Sequence, residues 1–489
     1  MNTLNQLHKA MLISLIVVLI ICLGWLQKAQ AVSPPPDGGY PNFTTAEGDK
    51  ALFSLSTGVG NTALGWRSLF SDTSGSLNTA VGAGTLVLNT GGENTATGAG
   101  ALLSNTTANG NTANGAFALV HNTTGIDNTA VGDQALFNNI TANGNTATGF
   151  GALFGNTTGA DNTAVGDVAL ESNTTGVSNT AIGTAALASN TTADNNTATG
   201  FDALLSNTIG AGNTANGANA LSSNTTGNDN TATGYQALPS NTTGDGNTAA
   251  GAGALFSNVT GGNNTAYGGS ALDANTTGTA NTAVGYFALV HSTGSSNTAL
   301  GTGAGSNLMT ANNVICIGHS GDDVSGTTWI GNVYGVTTQS GTTAPVVVSN
   351  GGQLGTVASS KRFKKDIASM EKTSEAILSL RPVTFHYKTD TKGTPQFGLV
   401  AEEVAKVNPA LVLPDKEGKP YTVRYDAVNA MLLNEFLKEH RKVEQQRRDF
   451  EAALAQQQKQ IDALTAVVQK VSAQLDVSKS APQTVLNNQ

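Results

Sequence analysis

The sequence predicts a mainly β protein in which a 17-residue-repeat β-solenoid or β-roll fibre precedes a small α+β domain and a C-terminal trimeric coiled coil. A strict internal repeat fills half of the chain, which is typical of solenoids. The composition is unusual, with 58 Gly and only 12% charged residues in 489. Near the C-terminus, apolar residues recur every seven positions, as in coiled coils. The predicted boundaries are a signal peptide 1–31, a linker 32–60, repeats 61–308, a β-rich neck 309–358, a compact domain 359–430, a coiled coil 431–476 and a disordered tail 477–489.

The N-terminus is typical of an export signal. Lys9 lies in a short polar start, and Ala10 to Leu26 is almost wholly apolar. Ala29-Gln30-Ala31 then offers the small residues that signal peptidase prefers. The alternative is an uncleaved anchor, since the apolar run comes close to the length that spans a bilayer. Both interpretations predict an exported protein, secreted or at the cell surface, with membrane contact only through an uncleaved signal.

Fifteen repeats follow the consensus N-T-A-x-G-x-x-A-L-x-S-N-T-T-G-x-x. The fifth position is Gly in every copy, and the ninth is Leu in the first fourteen. Seventeen residues are too few for a pair of helices, and Gly with paired Asn-Thr breaks helices. We therefore predict β coils with Leu and Ala columns inside and Asn ladders at the corners. The triplets begin at Asn61, Asn78, Asn94, Asn111, Asn128, Asn145, Asn162, Asn179, Asn196, Asn213, Asn230, Asn247, Asn264, Asn281 and Asn297.

Stacked at the spacing of paired strands, fifteen coils make a rod about 70 Å long. One Leu and two Ala per coil bury little apolar surface, so we predict that the rod packs against other chains. The repeats resemble the heads of trimeric bacterial surface adhesins, whose shorter N-x-A-x-G repeats form left-handed β-rolls. The two repeats share a sequence pattern but differ in period. The resemblance implies a homotrimer.

The charge of the repeats limits their partners. Residues 61–308 contain one basic residue, Arg67, against twelve acids, and such a surface repels phosphate backbones. We therefore predict no nucleic-acid partner. Asp127, Asp161 and Asp229 share a repeat position, but most copies lack this acid, which argues against a calcium site. No metal, nucleotide or paired-carboxylate motif is present, so we predict no cofactor and no activity on external substrates.

A ligand of the repeat face remains the alternative function: a glycan, a host receptor on a cell surface, or ice. Ice binding by threonine columns needs a regular Thr-x-Thr face. The second Thr of the S-N-T-T element is replaced or displaced in several copies, such as Thr208-Ile209 and Val259-Thr260. This irregularity argues against ice. Cys316 is the only cysteine of the mature chain, so we expect a buried free thiol, which in a trimer could pair only across chains.

Charged residues return abruptly at Ser359, and the pattern becomes that of a compact α+β unit. Asp426 is predicted to cap a long helix. That helix continues as a coiled coil, in which Phe436, Val443, Phe450, Gln457, Leu464 and Val471 form one heptad column and His440, Arg447, Leu454, Ile461, Val468 and Leu475 the other. The elements before it are a helix Ser374–Leu380, strands Val383–Lys388 and Phe397–Val400, a helix from Ala401 that stops before Pro409, and a strand Tyr421–Tyr425.

Four ordered blocks, S-S-K-R-F-K-K-D-I, L-R-P-V-T-F-H-Y-K, F-G-L-V-A-E-E-V and Y-D-A-V-N-A-M-L-L-N-E-F-L-K-E, cover about 359–445. They resemble the intramolecular chaperone auto-processing domain of phage tail spikes and endosialidases. The resemblance implies a homotrimer, a chaperone role for the fibre upstream, and self-cleavage in cis by a Ser-Lys dyad.

The family motif is Ser-Asp-x-Arg-x-Lys. Carried over, it implies that Ser359 is the nucleophile, Lys364 the general base and Ala358–Ser359 the scissile bond. Ser360 replaces the usual Asp, and Glu402 stands where Gln is common. A serine hydroxyl needs such a base to remove its proton, and a lysine can act as one only when desolvation favours its neutral form.

Overall fold

The computed structural model describes residues 41–479, except 335, 337, 339–342 and 350. The predicted signal peptide and the last ten residues of the predicted tail lie outside this range. The chain forms two compact units that divide after residue 339. None of the helices within the described ranges is long and apolar enough to cross a membrane.

The first unit is a β-solenoid with one short strand in each coil. Every strand pairs in parallel with the strand before and the strand after it, so that like residues stack on like. The strands are β1 (Thr45–Glu47), β2 (Thr62–Leu64), β3 (Thr79–Val81), β4 (Thr95–Thr97), β5 (Thr112–Asn114), β6 (Thr129–Val131), β7 (Thr146–Thr148), β8 (Thr163–Val165), β9 (Thr180–Ile182), β10 (Thr197–Thr199), β11 (Thr214–Asn216), β12 (Thr231–Thr233), β13 (Thr248–Ala250), β14 (Thr265–Tyr267), β15 (Thr282–Val284), β16 (Thr298–Leu300), β17 (Ile315–Ile317) and β18 (Thr328–Ile330).

The sheet extends beyond the 61–308 repeats at both ends. Strand β1 pairs Ala46 with Ala63, and strand β17 pairs Cys316 with Ala299. A small residue at the inward position and outward neighbours on either side are enough to continue the coil, even where the Asn-Thr-Ala triplet is lost. The first part of the predicted neck is therefore solenoid. With eighteen strands the rod is about 80 Å long.

The predicted inner columns are confirmed. The Leu of each repeat and both Ala are almost wholly buried along the rod, for example Ala164, Ala169 and Leu170 at 0% exposure. Each coil adds the same small set of contacts to the column, so the core is continuous but thin. Cys316 extends the column as a buried free thiol, as predicted, and this burial raises its pKa.

Two asparagine ladders also run through the interior. The Asn145 side chain accepts a hydrogen bond from the Asn162 backbone N–H at 2.9 Å, and the Asn162 amide donates to the Gly176 carbonyl at 2.8 Å. In the second ladder the Asn173 amide donates to Asn156 Oδ1 at 2.8 Å. These amides are fully buried, and a buried amide is costly to leave unpaired. Their hydrogen bonds therefore help to stabilise a core that holds few large apolar side chains.

Asp72 occupies a position that later coils fill with asparagine, such as Asn89, and it is fully buried. Its carboxylate accepts a hydrogen bond from the Gly75 N–H at 2.8 Å. Burial raises the pKa of Asp72, and hydrogen bonds from Gly75 and neighbouring residues oppose this only in part. Because the folded state binds the proton more tightly than the unfolded chain, ionisation of Asp72 at neutral pH lowers the stability of the rod.

We therefore expect Asp72→Asn to stabilise the first coils at pH 7 by about 1 kcal/mol, since an amide also donates within the ladder. The gain should shrink as the pH falls through the pKa of Asp72, where the carboxyl becomes neutral. Thermal unfolding and hydrogen exchange of residues 45–95 between pH 3 and 8 measure this. Asn89→Asp is the reciprocal variant and should destabilise, and a pH-independent difference for Asp72→Asn would contradict the prediction.

Among its described residues, the second unit contains three antiparallel hairpins and two α-helices. The predicted short helix is a 3₁₀ helix, Glu371–Ser379. The strand Val412–Pro414 lacked a sequence prediction. The long helix begins at Tyr425, so Asp426 lies within its first turn instead of capping it. The elements are β19 (Val347–Val348), β20 (Leu354–Gly355), β21 (Val383–Phe385), β22 (Gln396–Gly398), α1 (Ala401–Val407), β23 (Val412–Pro414), β24 (Pro420–Val423) and α2 (Tyr425–Lys479), with further 3₁₀ turns at Lys361–Phe363 and Pro409–Leu411.

Candidate self-cleavage site

The two predicted dyad residues lie on either side of a single turn. The 3₁₀ turn Lys361–Phe363 follows Ser360, and its hydrogen bonds join Phe363 N–H to the Ser360 carbonyl at 3.0 Å and Lys364 N–H to the Lys361 carbonyl at 3.1 Å. This turn brings Lys364 back to the residue before it. Lys364 Nζ donates a hydrogen bond to Ser359 Oγ at 3.1 Å, which is the distance a nucleophile and its base require.

The dyad is open to water in the single chain. Ser359 and Lys364 are both exposed, and they share a surface cleft with Lys361, Lys365 and other residues of the same segment. A lysine amine can accept the hydroxyl proton only in its neutral form, which desolvation favours. The geometry for proton transfer is therefore present, and the desolvation that would activate it is not.

Two large apolar side chains of the same segment are also exposed. Phe363 is 63% and Ile367 is 62% accessible. The hydrogen bonds that the structure gives to residues 359–367 stay within that segment. The segment thus has exposed apolar groups and no hydrogen bonds to the rest of the described domain. Such a segment can be covered by the surface of another chain.

The other three sequence blocks hold each other together. Arg381 of the second block forms a two-pronged ion pair with Glu403 of the third, at 2.5 and 3.1 Å, and this hydrogen bonding lowers the pKa of Glu403. The Leu399 N–H of the third block donates to the Tyr425 hydroxyl of the fourth at 3.0 Å. The second, third and fourth blocks thus belong to one folded unit.

One segment of this domain matches a known family. Residues 359–413 match the family described as chaperone of endosialidase. This confirms the resemblance for the first three blocks, and the fourth block lies beyond the matched residues. No curated protein and no solved structure matches the chain.

The domain that contains the matched segment has a small apolar core under its helices. Val404 of α1 and Met431 of α2 are buried against Leu411 and Val423, and the surrounding residues are only partly covered. Glu402, which replaces the common Gln, lies exposed in the first turn of α1. Ala358 and Ser360 are exposed as well, and the Ser360 side chain makes no capping hydrogen bond.

The same domain also contains a polar network that sequence reasoning missed. Ser374 is fully buried and donates a hydrogen bond to the Glu435 carboxylate, while the Asn434 amide donates to Ser374 Oγ at 2.6 Å. Lys438 pairs with Glu435 at 2.7 Å, and hydrogen bonds from Lys438 and Ser374 lower the pKa of Glu435. The network ties the 3₁₀ helix to the start of α2. No local pattern in the sequence pointed to it, because Ser374 and Glu435 lie 61 residues apart.

Proposed function

We propose that the protein is an exported homotrimeric fibre, similar to tail fibres and adhesins, whose C-terminal chaperone domain directs trimer folding. The domain is then released by cleavage of its own chain between Ala358 and Ser359. The observation that carries the proposal is the 3.1 Å hydrogen bond between Lys364 Nζ and Ser359 Oγ, inside the segment that matches the chaperone family.

The chemistry needs only groups of this segment and water. Neutral Lys364 takes the proton of Ser359 Oγ, which attacks the Ala358 carbonyl carbon, and the proton passes to the departing Ser359 nitrogen. The acyl group now rests on Oγ as an ester. Water hydrolyses that ester, which leaves an Ala358 carboxylate on the fibre and a free Ser359 amine and hydroxyl on the released domain.

Assembly supplies the missing desolvation in this proposal. Partner chains that cover the exposed Phe363 and Ile367 would also exclude water from Lys364 and favour its neutral form. Cleavage would then follow assembly and not precede it. This order suits a rod whose coils are nearly identical, because chains that wind without a clamp can pair in the wrong register.

Holding three C-termini together raises their effective concentration and sets one register before the coils form. Removing the clamp afterwards separates the finished fibre from the element that started its folding. Such a fibre cannot unfold by the reverse route and is stable for kinetic reasons.

Helix α2 carries the proposed clamp. It has 55 residues, and the apolar side chains of both heptad columns are exposed in the single chain, including Ile461 at 57% and Leu464 at 69%. Exposed apolar columns at this spacing are the surface through which helices associate. We expect Ile461→Asp with Leu464→Asp to abolish trimers and, with them, cleavage, measured by native mass and denaturing gels.

Ala463→Asp with Ala466→Asp is the matched control, because it adds the same two charges to exposed positions of the helix outside both columns. This control should assemble and cleave like the wild type. A monomeric wild-type chain, or a trimer that survives the column variant, would contradict the proposed assembly.

A further inference from the structure

The outward face of the solenoid sheet carries an unbroken line of threonines, which we term the threonine column. Strands β1 to β16 each begin with Thr, and the sheet pairs each of these residues directly with the next. The column consists of Thr45, Thr62, Thr79, Thr95, Thr112, Thr129, Thr146, Thr163, Thr180, Thr197, Thr214, Thr231, Thr248, Thr265, Thr282 and Thr298.

The fold does not use these hydroxyls. Their side chains are exposed or half-buried and make no side-chain hydrogen bond within the part of the chain that the structure describes. The threonines of the S-N-T-T element differ, because the Thr174 hydroxyl donates to the Thr191 carbonyl at 2.9 Å. Valine would serve a strand as well as threonine. The repeated hydroxyl of the column therefore points to something outside the chain.

The column is regular and stiff. Along β1 to β16 each column backbone N–H donates to the next coil at 2.8–2.9 Å, so successive hydroxyls follow the strand spacing of about 4.8 Å. Threonine is β-branched, and its side chain keeps few rotamers. The structure thus holds sixteen hydroxyls and sixteen methyl groups in a nearly fixed row. Because the row is ordered before binding, binding does not have to order these side chains.

The same face is free of charge. The other outward residue of strands β2 to β16 is always uncharged, as in Val165, Ile182 and Thr199, although the repeats carry twelve acids elsewhere. Protein interfaces depend on aromatic and arginine anchors, and Tyr267 is the single aromatic residue among these positions. A neutral, periodic face with few anchors suits a neutral, periodic partner.

We propose that the threonine column binds the surface of ice. Water molecules on an ice face repeat at a distance close to that between paired strands, so the hydroxyls can take lattice positions while the methyl groups fill the gaps. The irregularity that argued against ice lies in the S-N-T-T element. In the sheet, the first outward position is Thr in every strand from β1 to β16, whereas the second is Thr only in β4, β7, β10 and β12 and another neutral residue elsewhere from β2 to β16. The proposal therefore rests on the single regular column. The inference concerns the rod alone and does not depend on self-cleavage.

The test uses the purified full chain with growing ice as the probe. The wild type should partition into ice and slow its recrystallisation. The triple variant Thr163→Lys, Thr180→Lys, Thr197→Lys should reduce both effects about tenfold or more, because the lattice cannot solvate three ammonium groups.

The matched control is Thr158→Lys, Thr175→Lys, Thr192→Lys, which makes the same change at exposed positions outside the sheet, in two of the same coils and in the coil before them. It should keep wild-type activity and a similar Tm. Equal loss in both triple variants, no effect of the wild type on ice, or capture by crystalline cellulose or chitin without an effect on ice would each overturn the proposal.

Discussion

Ser359→Ala is expected to leave the chain uncut, with release of the fragment 359–489 reduced at least about a hundredfold. The variant removes the oxygen that attacks Ala358 and leaves the turn around it unchanged, since the hydrogen bonds of that turn run between backbone atoms. Uncut trimers should therefore accumulate. Denaturing gels, native mass and the N-terminal sequence of the fragment measure the outcome.

The base can be tested in the same way. Lys364→Arg should also abolish release, because arginine cannot lose its proton in a protein, although it keeps the charge. Lys361→Ala and Lys365→Ala are controls, since these lysines lie in the same cleft, whereas the hydrogen bond to Ser359 Oγ comes from Lys364. Release of the fragment from Ser359→Ala at the wild-type rate would show that the dyad is assigned wrongly.

Gly166→Ala is expected to destabilise the middle of the rod by about 3 kcal/mol or more. Gly166 has a φ of +143°, which side chains rarely adopt, and an added Cβ would lie 2.4 Å from the Gly183 carbonyl oxygen of the next coil. Backbone cannot move aside here, because each coil is fixed between two others. Thermal unfolding and limited proteolysis of the full chain detect the loss.

Gly151→Ala is the matched control in the preceding coil. Its φ is +60°, and an added Cβ meets only the Val168 side chain at 3.7 Å, an ordinary contact. Other coils already place larger residues at this position, such as Phe117 at a φ of 55°. The control should cost about 1 kcal/mol. Equal losses for the two variants would show that close approach between coils does not set the glycine requirement.

One feature of the site was within reach of sequence reasoning, and another was not. The pairing of Ser359 with Lys364 was implied by the family resemblance, and the contact is local, since one turn closes it. The Ser374 network was not predictable, because Ser374 and Glu435 lie 61 residues apart and meet only when the 3₁₀ helix packs on α2. Contacts at such separation leave no local pattern.

The repeat by itself determined the coil length, the inward Leu and Ala, and the asparagine ladders, because a period of identical residues allows little besides stacking like on like. Only the tertiary structure decided the backbone conformation of the core residues. Leu170, for example, adopts a left-handed φ of 52°, which sequence rules reserve for glycine and which costs about 1 kcal/mol in isolation. Burial of that side chain between neighbouring coils offsets the cost. The same stacking decided which threonines face outward in a row, since the orientation of a side chain depends on the strand that holds it.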